Sequence, residues 1–412
     1  MNRDFSSGRN RVRIRVWAAL WPLLIGCAAT SELAVEPPPS LFRDEAFDAP
    51  RERFSGADVF ALSEPMRHFL AFDIVHQLRS LGPAKGLIEA LYTKGQLKLE
   101  YDAAMTRNAS EAFDARAGNC LSLVIMTAAF AKEVGLQVEF HGADIEEVWS
   151  RNGDLLLGSG HVNVSLGSRA TDIGIRGVYQ NPLTVDFLSA DDITGLPTRE
   201  ISEATVVAMY MNNRAVEALV HGQLDDAYGW ARAAIRQNPG FASSYNTLGV
   251  VYLRHGDRRQ AARVFGYVVE RDPDNATVLS NLADVQSQLG NESEAAALRS
   301  RLARIDPHPP YYFFNLGMAA MQDNDFRTAK TQFAREVARA DYNHEFHFWL
   351  AVAYFKLGEI ERAQRQLLLA IERSPTRDGR DLYAAKLSWL QSNDRARDHE
   401  RAVTAPAAVG VP

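Results

Sequence analysis

Cysteine is almost missing from this chain: 412 residues contain two, Cys27 and Cys120. At most one disulfide can form, so a disulfide-stapled scaffold is excluded. Continuous basic runs are also lacking beyond the amino terminus, which argues against a nucleic-acid partner, whose phosphates need clustered Lys and Arg. The formal charge is −6; the first 26 residues carry Arg3, Arg9, Arg11, Arg13 and Arg15 against Asp4, a net +4, so the remainder stands at −10. Long apolar runs are the third absence. Only Val16 to Ile25 comes near one, and it falls short of the ~20 residues that span a bilayer. What remains, 46% hydrophobic and 23% charged residues over a length beyond one ordinary domain, is the composition of a folded chain of two domains.

The amino terminus has the order of an export signal: Arg-rich opening, apolar stretch, then small residues at Gly26, Cys27, Ala28 and Ala29. Leu24, Ile25, Gly26 and Cys27 resemble the lipobox of bacterial lipoproteins. The resemblance implies a signal peptide at 1–26, lipidation of Cys27, and, with Ala28 rather than Asp following, an outer-membrane protein facing the periplasm. If Cys27 is lipidated, Cys120 has no partner. A lone thiol in an oxidising envelope is either buried and inert or kept for its reactivity. Residues 27–65, with Pro37, Pro38 and Pro39 in succession, read as a tether.

From Met66 to Leu97 apolar residues fall at helical spacing, interrupted by Gly82 and Pro83. A helix follows from Cys120 to about Val134, then strand-like runs at 137–141, 155–158, 161–166 and 183–187. Helices first and strands afterwards predict an α+β domain over 66–200.

The second half carries a strict internal period. Pro239, Pro273, Pro307 and Pro375 are separated by 34, 34 and 68 residues, and Ala227, Ala261, Ala295, Ala329 and Ala363 keep the step without a gap. Gly222, Gly256, Gly290 and Gly358 repeat likewise, with Asn324 in the missing place, as a left-handed turn between two helices requires. Leu248 with Gly249 and Tyr252, Leu316 with Gly317, and Leu350 with Ala351 and Tyr354 resemble the first helix of tetratricopeptide repeats. The resemblance implies an all-α solenoid of five repeats over 206–375, with a capping helix at 376–395 and a disordered tail at 396–412. Tyr311, Phe314, Met318, Met321, Phe348 and Phe355 are expected to line its groove and take an apolar or aromatic segment of a protein or peptide partner; packing between repeats is the competing use of these side chains.

Three residues carry candidate chemistry. Cys120 follows Gly118 and Asn119 at the start of an apolar helix, where the unpaired N–H groups favour thiolate over thiol. His161 opens the alternating run His-Val-Asn-Val-Ser-Leu and can act as base and acid. Asp186 interrupts an apolar strand and needs a partner, which an imidazole N–H would supply; Asp172 is the rival for this orienting role. A Cys on a helix after glycine, a later His opening a strand and an Asp on a further strand resemble the transglutaminase-like, papain-like superfamily over Phe69 to Phe187. The stretches Tyr101 to Asp102, Thr106 to Phe113 and Arg116 to Cys120 belong to the same resemblance. It implies acyl transfer from amides through a thioester, with no cofactor and no metal, and with the Cys120 backbone N–H as one oxyanion donor. The segment Asp144 to Gly160 departs from the relatives' spacing and reads as a lid or insertion. His344 and His347 have metal-ligand spacing but sit in a repeat helix without a third ligand, so structural use is expected. The alternative to an enzyme is a catalytically inactive scaffold whose function lies in the repeats.

Overall fold

The computed structural model describes residues 36–404 except 52–54, 93–96, 98, 103–104, 144–147, 153–154, 160–161, 170–181, 188–197, 310 and 375–376. The α+β body begins with three helices, α1 (Glu64–His68), α2 (Val75–Ser80) and α3 (Pro83–Tyr92), with a π-helical turn at Phe69–Asp73 between the first two. Strand β1 (Glu100–Tyr101), helix α4 (Ala109–Ala115), strand β2 (Ala117–Gly118) and helix α5 (Cys120–Glu133) follow. Then come β3 (Leu136–Ala143), β4 (Val148–Asn152), β5 (Leu155–Ser159), β6 (Val162–Arg169), β7 (Leu183–Val185) and β8 (Thr198–Ile201).

Among the described residues β7, β6, β3 and β8 form one antiparallel sheet in that order. Helix α5 packs on it and is buried from Leu121 to Ala131, so it is apolar all round, as a helix covered on every side must be. The segment expected as a lid contains the antiparallel hairpin β4–β5.

Five helical hairpins make the second half. They pair α6 (Glu203–Val220) with α7 (Leu224–Gln237), α8 (Ala242–His255) with α9 (Arg258–Arg271), and α10 (Ala276–Gln288) with α11 (Glu292–Ile305). The last two pairs are α12 (Tyr312–Gln322) with α13 (Phe326–Arg339) and α14 (His344–Lys356) with α15 (Ile360–Arg373). The periodic alanines explain the spacing: Ala227, Ala261, Ala295, Ala329 and Ala363 are each 0% exposed, because the paired helices approach too closely for a larger side chain. Gly317 is tighter still; a Cβ there would lie 2.5 Å from the Phe333 ring. Each hairpin turns at a left-handed residue, Asn324 with φ 57° standing where the others have glycine. The capping helix α16 (Arg377–Thr404) runs beyond the expected end at 395 and into the stretch read as a disordered tail.

Two further expectations are altered. The stretch read as a tether is folded from Glu36 onward. Leu41 is 2% exposed, its carbonyl accepts from the Tyr252 hydroxyl at 2.9 Å, and the Ser40 carbonyl accepts from Gln260 Nε2 at 2.7 Å. The amides of Arg43, Asp48 and Arg51 donate to Tyr228 Oη, Asp225 and Asp226, and Phe47 stacks on Tyr228 with ring centres 4.1 Å apart. Three prolines stiffen the strap's start, and one buried Leu and one stacked Phe hold it against α7, α8 and α9, which a charged composition alone does not reveal.

Tyr311 and Phe314, expected in a groove, are each 2% exposed and pack between helices against Phe346, with ring centres 4.8 and 5.3 Å away. Aromatic rings bury too much area to stay on a surface when the next hairpin offers a face. Met318 and Met321 are partly buried against the same cluster; Phe348 stacks on Tyr383 and Phe355 meets Trp389 edge-on.

Candidate functional site

Cys120 is the first residue of α5 and its thiol is free and half-buried. Asn119 caps the helix, its Oδ1 accepting from the Ser122 N–H at 2.9 Å and from the Ser122 hydroxyl at 2.9 Å. Gly118 is required at this corner, since a Cβ would stand 2.7 Å from that of Ser122. The short parallel bridge of β1 with β2 sets Tyr101 beside Gly118, and the Asp102 N–H donates to the Gly118 carbonyl at 3.1 Å.

A second layer locks this corner. Arg107 pairs with Asp102 at 2.9 Å, and its backbone N–H donates to Ser122 Oγ at 2.8 Å. Asn119 Nδ2 donates to Thr106 Oγ1 at 2.9 Å, while the Thr106 N–H donates to Glu217 Oε1 at 2.6 Å and the Thr106 carbonyl accepts from Arg214 Nη1 at 3.4 Å. Glu217 and Arg214 belong to α6, the first helix of the array. Thr106 thus links the cap of the Cys120 helix, through its hydroxyl, to the solenoid, through its backbone. Burial holds the Glu217 carboxyl above its usual range against the opposing pull of Thr106 and Arg214. Sequence reasoning places Thr106 and Arg107 in the resemblance without giving them a role, and does not single out Glu217. The Asn108–Glu111 capping box that follows the first two is readable as local spacing, but a contact spanning 111 residues is not.

Asp186 directly follows β7. Register places it opposite Asn163 of β6, whose Nδ2 donates to Asp186 Oδ2 at 3.2 Å. Ser165, two residues along β6, bonds Thr184 at 2.8 Å and sits 3.5 Å from His141 Nδ1. Helix α5 packs on β6, so the thiol helix and the carboxylate strand share one sheet. His161, Asp172 and Cys27 lie outside the described residues.

Tyr101 belongs to the same corner through its pairing with Gly118, two residues before Cys120. Its ring is 43% exposed, yet burial of the hydroxyl end pushes the phenol's pKa up, and the nearby Cys120 thiol adds in the same direction. The phenol is therefore neutral near pH 7.

The two candidate metal residues of α14 are in structural use. His347 Nδ1 lies 2.7 Å from Gln366 Oε1 and Nε2 2.7 Å from the Asp341 carbonyl, while His344 Nδ1 lies 2.8 Å from the Tyr383 hydroxyl. No group of three or more His, Cys, Asp or Glu able to hold a metal occurs among the described residues.

A family model described as tetratricopeptide repeat matches residues 246–310 and 314–378. The small glutamine-rich tetratricopeptide repeat-containing protein 2 of Mycosarcoma maydis is 32% identical over 89 residues, 22% of this chain and 25% of that protein. The cellulose synthase 2 operon protein C of Komagataeibacter xylinus is 33% identical over 95 residues, 23% of this chain and 7% of that one. The chain thus spans a quarter or less of the length of these curated relatives. A thermophilic tetratricopeptide repeat protein of Thermus thermophilus aligns over 44% of this chain and 98% of its own, at 20% identity and a TM-score of 0.30. With the 34-residue step, the buried alanines and the left-handed turns, the family match identifies the carboxy-terminal half of this chain as a tetratricopeptide-repeat solenoid.

Proposed function

We propose that this protein is an envelope lipoprotein whose α+β body is a papain-like, transglutaminase-like thiol hydrolase and whose repeats recruit a protein or peptide substrate or partner. The observation that carries the catalytic reading is the corner at Cys120. A free, half-buried thiol stands on the first turn of a buried helix, braced by Asn119, Ser122 and Arg107. In this mechanism the Cys120 thiolate adds to an amide carbon and the π electrons move onto oxygen. Collapse expels the amine, protonated by His161, and leaves a thioester. Water then adds with His161 taking its proton, which releases the acid and the thiol. Asp186 fixes the imidazole tautomer, and the Asn163 amide holds Asp186 in place. Hydrolysis is preferred to transfer because water is abundant and no amine site is evident.

The test is release of acid and amine from peptide amides by the mature protein. Activity that survives Cys120→Ala unchanged would remove the assignment.

Mass spectrometry of the membrane fraction should find a diacylated Cys27, and Cys27→Ser should move the protein to the soluble fraction; unaltered membrane retention of that variant refutes the anchor.

A scaffold reading has one specific support: Tyr312 and Leu316, one turn apart on α12, are exposed apolar side chains on a helix whose other apolar groups are largely buried. Partner capture that persists in Cys120→Ala but is lost on Tyr312→Ser with Leu316→Ser would favour it.

A further inference from the structure

A helix of the first repeat reaches into the corner that carries Cys120. Arg214 and Glu217 stand three residues apart on α6, so their side chains leave from one face of it. They close on the backbone of a single residue from both sides. The Thr106 N–H donates to Glu217 Oε1 at 2.6 Å, the Thr106 carbonyl accepts from Arg214 Nη1 at 3.4 Å, and the two α6 side chains lie 3.8 Å from each other. Thr106 is 1% exposed, so removing the carboxylate leaves a buried N–H without this acceptor.

The grip fixes more than a backbone. Thr106 Oγ1 accepts from Asn119 Nδ2 at 2.9 Å. Asn119 Oδ1 accepts the Ser122 N–H and the Ser122 hydroxyl, each at 2.9 Å, and Ser122 Oγ accepts the Arg107 N–H at 2.8 Å. A carboxamide has one acceptor oxygen and one donor nitrogen, and a backbone N–H can only donate. The Asn119 amide therefore makes both sets of bonds in one orientation, the one in which Thr106 takes its nitrogen. Cys120 follows Asn119 directly and opens the helix that this amide caps. A shift of Thr106 turns the cap, and the cap carries the thiol with it.

We infer that Glu217 is a positioning residue of the Cys120 site, acting through Thr106 and Asn119 from a helix that belongs to the repeats. This rests on the thiol-hydrolase reading above. The role needs an acceptor oxygen where Glu217 Oε1 stands, and a carboxamide supplies one as a carboxylate does. The first repeat is then a structural part of the site as well as a means of recruiting to it.

The experiment follows the acylation burst of the full chain with p-nitrophenyl acetate, at a temperature where every variant is folded by circular dichroism. Glu217→Ala should slow the burst roughly 10- to 100-fold, the scale of a small misplacement at the reacting atoms, and Glu217→Gln should restore most of the rate. Thr106→Val keeps the backbone that Glu217 grips and removes the oxygen that Asn119 Nδ2 needs. It should slow the burst to a similar degree, and adding Glu217→Ala to it should cost little more, because both changes cut one route. Gly317→Ala, a destabilising change in the fourth hairpin, should acylate at the wild-type rate. A wild-type burst in Glu217→Ala, or a Glu217→Gln burst as slow as that of Glu217→Ala, overturns the inference. So do losses that multiply in the double variant, since Glu217 would then act outside the Thr106 route, and an equal loss in Gly317→Ala, since stability alone would then account for the effect. Cys120→Ala is the separate control: a burst that survives it sinks the hydrolase reading itself, whatever Glu217 does.

Discussion

Truncating Leu41 to Ala tests whether the strap over the first two repeats is a docked element with its own stability. Leu41 is 2% exposed, and Leu→Ala at such a site costs roughly 3–5 kcal/mol in lost transfer energy and residual cavity. The strap carries no helix of its own beyond single turns, so the loss should appear as local opening before it appears as global unfolding. With about 1.4 kcal/mol per factor of ten, the open fraction rises on the order of 10²- to 10³-fold. The reporters are the amides of Arg43, Asp48 and Arg51, bonded to Tyr228, Asp225 and Asp226. Their hydrogen exchange should accelerate by that factor, while interior amides of α8 and α9 exchange about as slowly as before. Ser40→Ala is the control, since its carbonyl contacts do not use the side chain. Exchange at these three amides equal to that of wild type would refute the reasoning, because the strap would then be held by something other than its Leu41 anchor.

Three perturbations of the array follow from its contacts. Gly317→Ala drives a methyl to 2.5 Å from the fully buried Phe333 ring and should lower stability by about 1–3 kcal/mol in urea unfolding. Glu336 is 2% exposed, accepts from the Phe314 N–H at 3.0 Å and pairs with Arg339 at 3.5 Å. Glu336→Ala should therefore cost roughly 2–4 kcal/mol, with Glu336→Gln recovering part of it through the retained acceptor. Burial, reinforced by His347, holds the His344 pKa below its usual value. The unfolded chain then takes up a proton near pH 6.5 that the folded chain does not. Stability contributed by neutral His344 is full above that pH and declines as pH falls through it; His344→Gln should flatten the melting temperature between about pH 6.5 and 5.

Periodic features are legible in the sequence because each repeat meets the same local constraint. A buried alanine and a left-handed turn recur at every step, so residue type alone exposes them: Ala295 and Asn324 need no distant information. The α5 helix and the strands β3, β5, β6 and β7 are readable for a similar reason, since period and flanking glycines are local. For the aromatic residues of α12 sequence reasoning leaves groove and inter-repeat packing open, because it gives the identity of a ring but not the face on which the next hairpin lands. Phe314 meets Phe333 and Phe346, which come from two different helices. The strap is hidden for want of long-range information as well. Nothing in a Pro-rich, charged segment announces partners about 185 to 220 residues away. At the site, Cys120 and Asn119 are legible from the helix start, while Glu217 acts through a contact that no spacing encodes.

The body and the array are joined by continuous contacts despite the clear change in sequence pattern between them. Strand β8 ends at Ile201 and α6 begins at Glu203, leaving Ser202 alone between sheet and solenoid, and Ser202 itself caps α6 through the Thr205 N–H. The chain crosses the boundary a second time where the strap at 36–51 docks on α7, α8 and α9 before the body starts. Across the interface the buried Thr106 backbone satisfies its N–H on Glu217 and its carbonyl on Arg214. Cutting the chain after Ser202 would strand both groups without a protein partner, at about 1–3 kcal/mol each if they stay buried. It would also expose the face of α5 and its surroundings that Val206 and Val207 help to cover. Residues 55–202 expressed alone should therefore lack a cooperative thermal transition, and their Cys120 should alkylate as fast as a free thiol in an unfolded chain. A sharp transition with native-like protection of Cys120 in that fragment would show that the site is shaped by its own body and owes nothing to the repeats.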